Sequence, residues 1–361
     1  MSKTLTVNAA ALAAEATWIA KAAPKSGLPI CAAVQVGVDD GALSLRRTNY
    51  DLFAHTGLDG AGGAAAALLV DAAQLAAALK GAVGDAKIDV ADDRLRLAIG
   101  GRILSLTAMA TTTEFPAWPE FAATSGPVAI LRAPQLARAL TSVCDDDTLP
   151  ALGVVRFENG VMVSTDRFRL TRIRYDDTGF TAHIPAGVLR PFASGDGLVR
   201  VEHGTGDDTG DAKPPRMVRL SDWGYGRIIT APVADTDFPK WQQLIPGDDT
   251  VTVSILIRRR DLLNAVDGDN VTLTIGPASI LVASSGNRDG DLQVEQSIEV
   301  LRVARGDGLP LTVRLNTTRL RECLKGISSG AVQLMASTPD KPVLLCFSDD
   351  LHLLMPIRIP A

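Results

Sequence analysis

The chain has 361 residues, 46% of them hydrophobic and 21% charged, which supplies a sizeable core and excludes intrinsic disorder. Aromatic residues make up only 4%, so alanine, leucine and valine must do most of the packing. A net charge of -5 excludes a protein that coats nucleic acid through bulk positive charge, while leaving room for a local basic surface.

In chain order, the first residues carry Lys3, but Asn8 and Glu15 interrupt the apolar stretch that a signal peptide needs. The most apolar run, 64–79, is broken by Asp71 and Gln74 and is too short and alanine-rich to cross a bilayer. The expectation is a soluble cytoplasmic protein with no membrane partner. Cys31, Cys144, Cys323 and Cys346 lie far apart, and His55, His183, His203 and His352 show no ligand spacing with them. The thiols therefore read as reduced, and neither a metal nor a cofactor is expected.

The chain then repeats itself. Strand-like runs through Thr6-Val7, Ala129-Ile130 and Thr252-Val253 each lead into a helical pattern, and successive members lie 123 positions apart. Phe115-Pro116 and Phe238-Pro239 share that interval, each after an acidic residue and each followed by a tryptophan, Trp118 or Trp241. This predicts three tandem copies, 1–124, 125–248 and 249–361, with linkers near 122–127 and 246–250. Each copy reads as double, because a second strand-then-helix pattern runs through 67–80, 182–192 and 311–325.

Apolar positions at Leu136, Leu140 and Val143, at Leu262, Leu263 and Val266, and at Leu320, Cys323 and Leu324 make i, i+3, i+4 helix faces. Asn8 and Asn316 stand as caps and Pro134 and Pro185 in first turns, whereas Pro191 should shorten its helix. Alternating runs at 87–90, 94–98 and 103–106 read as strands, and the polar stretch 204–215 as an exposed hairpin loop. The fold class is α+β, with helices covering one face of antiparallel sheet in each copy.

Four segments then stand in order. They are Gly27-Leu28-Pro29-Ile30; Thr165-Asp166-Arg167-Phe168-Arg169-Leu170 with its counterpart Thr48-Asn49-Tyr50-Asp51-Leu52; Asp237-Phe238-Pro239-Lys240-Trp241 followed by Leu244-Ile245-Pro246; and Leu353-Leu354-Met355-Pro356-Ile357-Arg358-Ile359. Together they resemble the bacterial sliding clamp, the β subunit of DNA polymerase III, over essentially the whole chain. The resemblance implies three tandem DNA-clamp domains and a head-to-tail homodimer, a six-domain ring with helices lining the hole. It implies a non-catalytic processivity factor of DNA replication that encircles double-stranded DNA without reading sequence. Its partners would be DNA polymerase III, a clamp loader, and other polymerases and repair proteins carrying clamp-binding peptides.

By position, the family's apolar peptide pocket maps onto Leu152, Thr165, Arg167, Arg169, Leu170, Pro239, Leu244, Leu353, Met355, Pro356 and Ile357. Candidate channel cations, which hold phosphates without reading bases, are Lys25, Lys80, Arg132, Arg138, Arg190, Arg258, Arg259, Arg260, Arg321 and Lys325. Dimer contact is expected where edge strands near Leu104 and Leu106 meet strands near Val271 and Leu273.

This chain departs from the family pattern at Arg167-Phe168, where Gly-His is usual, at Arg319, where an aromatic is usual, and at Gln243, where a basic residue is usual. Pro360 and Ala361 extend past the usual end, and Asp145-Asp146-Asp147 makes acidic a loop that the family brings near DNA. The altered pocket keeps a specialised or phage-encoded paralogue as the alternative reading. A metal-dependent nucleic-acid hydrolase would have to use Asp92-Asp93, Asp145 to Asp147 or Asp248-Asp249. Those carboxylates lie in expected turns, where aspartate is favoured for backbone reasons.

Overall fold

The computed structural model describes residues 4–23, 28–39, 41–91, 93–109, 114–206, 214–224, 226–285 and 294–358. One motif, a strand entering a helix and three further strands, recurs six times. It opens with β1 (Leu5–Asn8), α1 (Ala9–Ala22), β2 (Ala33–Asp39), β3 (Ala42–Thr48) and β4 (Phe53–Asp59), followed by the two-residue β5 (Ala61–Gly62). The second is β6 (Ala66–Asp71), α2 (Ala72–Ala78), β7 (Asp85–Ala91), β8 (Arg94–Ile99) and β9 (Arg102–Thr107). The third is β10 (Ala122–Arg132), α3 (Ala133–Ala139), β11 (Val154–Glu158), β12 (Val161–Thr165) and β13 (Arg169–Arg174). The fourth is β14 (Ala182–Pro185), α4 (Ala186–Leu189), β15 (Leu198–Thr205), β16 (Arg216–Asp222) and β17 (Ile228–Pro232). The fifth is β18 (Val253–Arg258), α5 (Arg259–Ala265), β19 (Asn270–Ile275), β20 (Ser279–Ser285) and β21 (Val294–Gly306). The last is β22 (Leu311–Asn316), α6 (Thr317–Gly326), β23 (Ala331–Ala336), β24 (Val343–Phe347) and β25 (Asp350–Leu354).

Local chemistry sets the strand-to-helix corners. Asn8, Asp71 and Asn316 end their strands in extended geometry, and their side-chain oxygens accept from the amides of Ala11 (2.9 Å), Gln74 (2.7 Å) and Arg319 (3.0 Å). Each cap satisfies an amide that the first helical turn leaves orphaned. Where Pro185 stands instead, the helix lasts four residues, and Pro191 passes the chain into a 3₁₀ turn over Arg190–Phe192. The i, i+3, i+4 face at 136–143 is likewise split, α3 giving way to a 3₁₀ turn over Leu140–Ser142.

The chain folds as two compact units. One comprises Met1–Leu136, Thr178–Phe180 and Ile184–Ala234, the other Ala137–Asp177, Thr181–His183 and Asp235–Ala361. In the first, a five-stranded sheet has the order β5-β1-β7-β8-β9 and an eight-stranded sheet the order β10-β15-β16-β17-β4-β3-β2-β6. Leu12, Ala16 and Ile19 of α1 are buried, and α1 packs beside β3, β4 and α2. Among them Glu15 is buried too, its carboxylate accepting from Thr56 Oγ1 (2.6 Å) and, bidentately, from the Arg227 guanidinium (2.9 Å at both nitrogens). The buried Arg47 guanidinium donates to the carbonyls of Ile19 and Ala20 at the C-terminal end of α1 and to Cys31 O, a cation where the helix dipole is negative.

The second unit holds a twelve-stranded sheet in the order β14-β11-β12-β13-β25-β24-β23-β18-β21-β20-β19-β22. Its strands alternate buried and part-exposed positions, as in β19 and β22, so one face carries the core.

Both large sheets run across the sequence repeat. β17 pairs with β4 through Ile228↔His55, Ile229↔Ala54 and Thr230↔Phe53, and β13 with β25 through Arg169↔Leu354 to Arg172↔Leu351, both antiparallel. The expected linker at 122–127 is corrected: these residues are the exposed start of β10, whose register with β15 shifts between Ala123 and Val128. Their exposure and small side chains imitate a linker, but an edge strand needs no apolar payload on its outer side.

Candidate functional site

The second unit carries a concavity that begins in a turn. Between β12 and β13, Thr165 Oγ1 donates to Arg169 O (2.7 Å) and accepts from the Arg167 amide (3.3 Å). Asp166 Oδ1 accepts from the amides of Phe168 and Arg169 (both 2.9 Å). The geometry places Arg167 at φ 75°, in the left-handed region. The counterpart turn has the same construction: Thr48 Oγ1 donates to Leu52 O (2.8 Å), Asn49 Oδ1 accepts from Leu52 N (3.0 Å), and Tyr50 lies at φ 73°. Threonine followed by Asn or Asp thus builds one turn twice.

The turn aims β13 alongside β25, and the next segment is pinned by its tryptophan. Trp241 Nε1 donates to Glu158 Oε1 (2.5 Å), and buried Phe238 packs near His183 (centroids 5.9 Å apart) with the Arg156 guanidinium over its ring. In the first unit Trp118 is held similarly, edge-on to Phe53 (5.3 Å) and under Arg46. Anchored at Trp241, the 3₁₀ turn Trp241–Leu244 delivers Gln243, Leu244 and Ile245 to a cavity of about 530 Å³.

Leu170 and Leu353, both buried, lie in its floor, while Leu244 and Met355 remain 47% and 41% exposed at its lining. Thr165, Arg167 and Arg169 complete the expected set. Four expected residues do not line the cavity. Leu152 is buried in a 3₁₀ turn over Pro150–Leu152, Pro239 precedes the anchoring tryptophan, and Pro356 and Ile357 continue the tail, where Ile357 N donates to Arg314 O (2.7 Å). In their place stand Pro246, Gly247, Thr250, Ser337, Lys341 and Pro342. Pro246 closes a motif visible in the sequence, whereas Ser337 to Pro342, legible as a turn from Pro339 and Asp340, carries no local sign that it reaches this cavity.

The charge at this site is uneven. Arg169 is clamped, donating to Asp166 Oδ2 (2.9 Å) and to Glu322. Against the cost of burial, these acids hold its pKa above the ordinary value. Arg319 lies 4.0 Å over the exposed ring of Phe168, so two of the departures from the family pattern meet in a cation–π contact. Beside the floor, the buried His352 Nδ1 shares a hydrogen bond with Thr171 Oγ1 (2.8 Å), which bonds Ser142 Oγ (2.6 Å). Burial, with Arg169 and Arg138 nearby, lowers the His352 pKa to about 3. Burial raises the Cys323 thiol to about 12 and the Cys346 thiol to about 11. Among the described residues no cluster of three or more His, Cys, Asp or Glu could hold a metal, and no helix is long and apolar enough to cross a membrane.

The basic candidates separate into two groups. Lys80, Arg132, Arg190, Arg260 and Lys325 are exposed, at or near helix ends. Four others make hydrogen bonds or ion pairs within the chain. Arg138 pairs with Asp350 (3.3 Å) and Arg258 with Glu299 (2.8 Å). Arg259 donates to Leu324 O and Ser329 O, and Arg321 to Val266 O, the last two helices of the chain thus holding each other's ends. Lys25 lies outside the described residues, as do Pro360 and Ala361.

The edges are corrected as well. β9, with Leu104 and Leu106 half-exposed, ends the five-stranded sheet as expected. β19 is no edge: Val271 and Leu273 are fully buried, and the strand pairs with β20 on one side and β22 on the other. A period-two apolar pattern identifies a strand but not whether it has one neighbour or two. Among the described residues, β22 ends the sheet there, paired only with β19, and the first half of β21 has an open side as well. There 294–299 pair only with β20, whereas 300–306 turn to pair with β18.

No family profile matches the chain. Solved structures do match, over its whole length. The chain superposes on the DNA polymerase III β subunit of Thermotoga maritima with a TM-score of 0.81 at 18% identity, covering 99% of this chain and 100% of that one. It superposes on a Bartonella birtlesii sliding clamp, solved bound to griselimycin, with a TM-score of 0.79 at 19% identity and 99% and 100% coverage. The Bacillus subtilis clamp gives 0.78 at 16% identity, with 99% of both chains covered. At these identities the likeness establishes the fold: this chain has the α+β fold of bacterial sliding clamps from end to end.

Proposed function

We propose that this chain is a DNA sliding clamp, a non-catalytic ring of two head-to-tail copies that encircles duplex DNA in the cytoplasm and tethers DNA polymerase III and other peptide-bearing partners. The observation that carries the reading is the way its sheets join. Within one chain, the last strand of a copy's second half pairs with the last strand of the preceding copy's first half: β17 with β4, and β25 with β13. Two strands in the same positions of the pattern are left over, β9 and the first half of β21. Heterologous joints that use the same contact repeatedly close into a ring when the rotation permits. The third kind of joint, β9 of one copy against β21 of the next, would complete that closure.

On this reading 1–124, 125–248 and 249–361 are the three domains, each doubled, although the compact units follow the sheets that join them. Lys80, Arg132, Arg190, Arg260 and Lys325 face the DNA, and they hold it by counterion release without base contacts. The cavity beside β13 and β25 receives partner peptides through a few buried anchors. Light scattering coupled to size exclusion tests the assembly. A mass twice the chain's 38.0 kDa, with retention on nicked circular DNA and loss after linearisation, is expected. A monomer that binds linear and circular DNA alike would overturn the proposal.

A further inference from the structure

We propose that a cleft in the first unit, between α1 and the 3₁₀ turn over Arg190–Phe192, is a binding site for a phosphate group. The cleft measures about 470 Å³ and is lined by Trp18 and Lys21 of α1, by Arg190 and Ser194 of the segment that follows α4, and by Arg227. All of these residues belong to one compact unit, so the site exists whether or not the chain closes into a ring. Its walls are fixed to each other. Trp18 Nε1 donates to Pro191 O (3.1 Å), and the indole stands edge-on to the buried ring of Phe192 (centroids 5.7 Å apart). A site held in shape before its ligand arrives loses less on binding.

The charge in the cleft points to the ligand. Three cations and no acid line it: Lys21, Arg190 and Arg227. Arg227 is spent on Glu15, outside the lining. Lys21 and Arg190 are exposed, and among the described residues Lys21 forms no ion pair. Asp196, in the loop after Ser194, is exposed and does not line the cleft. One opposing effect has to be met, because Lys21 stands in the last turn of α1, where the helix dipole repels an anion. The buried Arg47 meets it by donating to the carbonyls of Ile19 and Ala20. A guanidinium that forks onto two oxygens, an ammonium that acts as a point charge and the Ser194 hydroxyl suit a tetrahedral oxyanion. The multiple negative charge of a phosphate group matches two cations better than one carboxylate does. Lys21 stands outside the channel cations expected from the sequence, and the group can come from a free anion or from a nucleic-acid backbone.

The test titrates sodium pyrophosphate into the full-length protein by calorimetry, against sodium chloride of matched ionic strength. Saturable binding at one site per chain is expected, weakening as salt is added. The Lys21→Gln, Arg190→Gln double variant should bind about tenfold more weakly, since each exposed charge pair is worth up to about fivefold. Both side chains are exposed, so without pyrophosphate the variant should melt with the parent, which separates lost binding from misfolding. A short linear DNA duplex then assigns the source in the parent. Displacement of pyrophosphate by the duplex identifies a nucleic-acid backbone, and retention in its presence identifies a free anion. No binding beyond the chloride control, equal affinity in the double variant, or a double variant that melts below the parent would overturn the site.

Discussion

Glu15 is a carboxylate on an otherwise apolar helix face, and its three hydrogen bonds explain how it can be buried there. Its partners come from β4 and from the residue just before β17, so this one side chain fastens α1 to the joint between the first and second copies. Glu15→Ala leaves Arg227, largely buried beside Trp18, without its counter-charge. The expected loss is about 3 kcal/mol, read from the urea midpoint, because removing one partner strands the other. His352 makes a second prediction at this scale. Its pKa falls to about 3 in the fold, chiefly through burial, whereas the unfolded chain protonates near 6.5. Stability should be flat above pH 6.5 and decline as the pH drops toward 3, since acid then binds the unfolded chain first. Between pH 7.5 and 5 the decline from this group should be about 2 kcal/mol. His55 and His183, lowered by burial first and by arginine neighbours second, act in the same direction. His352→Gln should flatten the dependence; an unchanged slope would remove this histidine as its source. Nothing in the sequence around position 352 marks it as buried, because the alternation of β25 places Leu351 and Leu353 on either side of it and all three are covered.

Among the elements, the connectors are where sequence and structure agree most usefully. Phe-Pro followed by tryptophan is legible as a repeated signal, and in the fold each tryptophan lies against a sheet within its own unit. Trp241→Ala should cost about 3 kcal/mol, because it empties a well-packed site and strips the indole donor from Glu158, itself only 8% exposed. It should also weaken peptide binding, measured by anisotropy, because Gln243 and Leu244 lose their anchor. Unchanged affinity would show that the cavity forms without the connector. Helix starts were equally readable from their caps, Asn8 and Asn316, whereas the Asp71 cap emerged only in the fold. Helix ends were not: the apolar face through Val143 continues past the point where α3 tightens into 3₁₀, since periodicity near three cannot distinguish the two.

At the scale of the whole molecule, the decisive features are the strands left without a neighbour. Ile103 on β9 is 75% exposed, an apolar side chain on an open edge, and the first half of β21 carries Glu295 and Glu299. Ile103→Glu should leave each chain's thermal unfolding unchanged and move the solution mass from twice 38.0 kDa toward 38.0 kDa, because like charges would then meet across the joint. A persistent dimer would exclude β9 from it. The doubled strand-then-helix pattern and the α+β class follow from sequence alone, since periodicity, caps and Phe-Pro-Trp spacing are local properties of the chain, whereas the expected residues of the cavity, Thr165, Arg167, Arg169, Leu170, Leu244, Leu353 and Met355 among them, came only from the resemblance to the family. The two compact units, the open side on the first half of β21 and the two-sided pairing of β19, the engagement of Arg138, Arg258, Arg259 and Arg321, and the arrival of Lys341 at the cavity required the fold. Each of these depends on which distant strand or helix lies alongside, and hydrogen bonding between strands is non-local: one alternating pattern serves a central strand and an edge equally well.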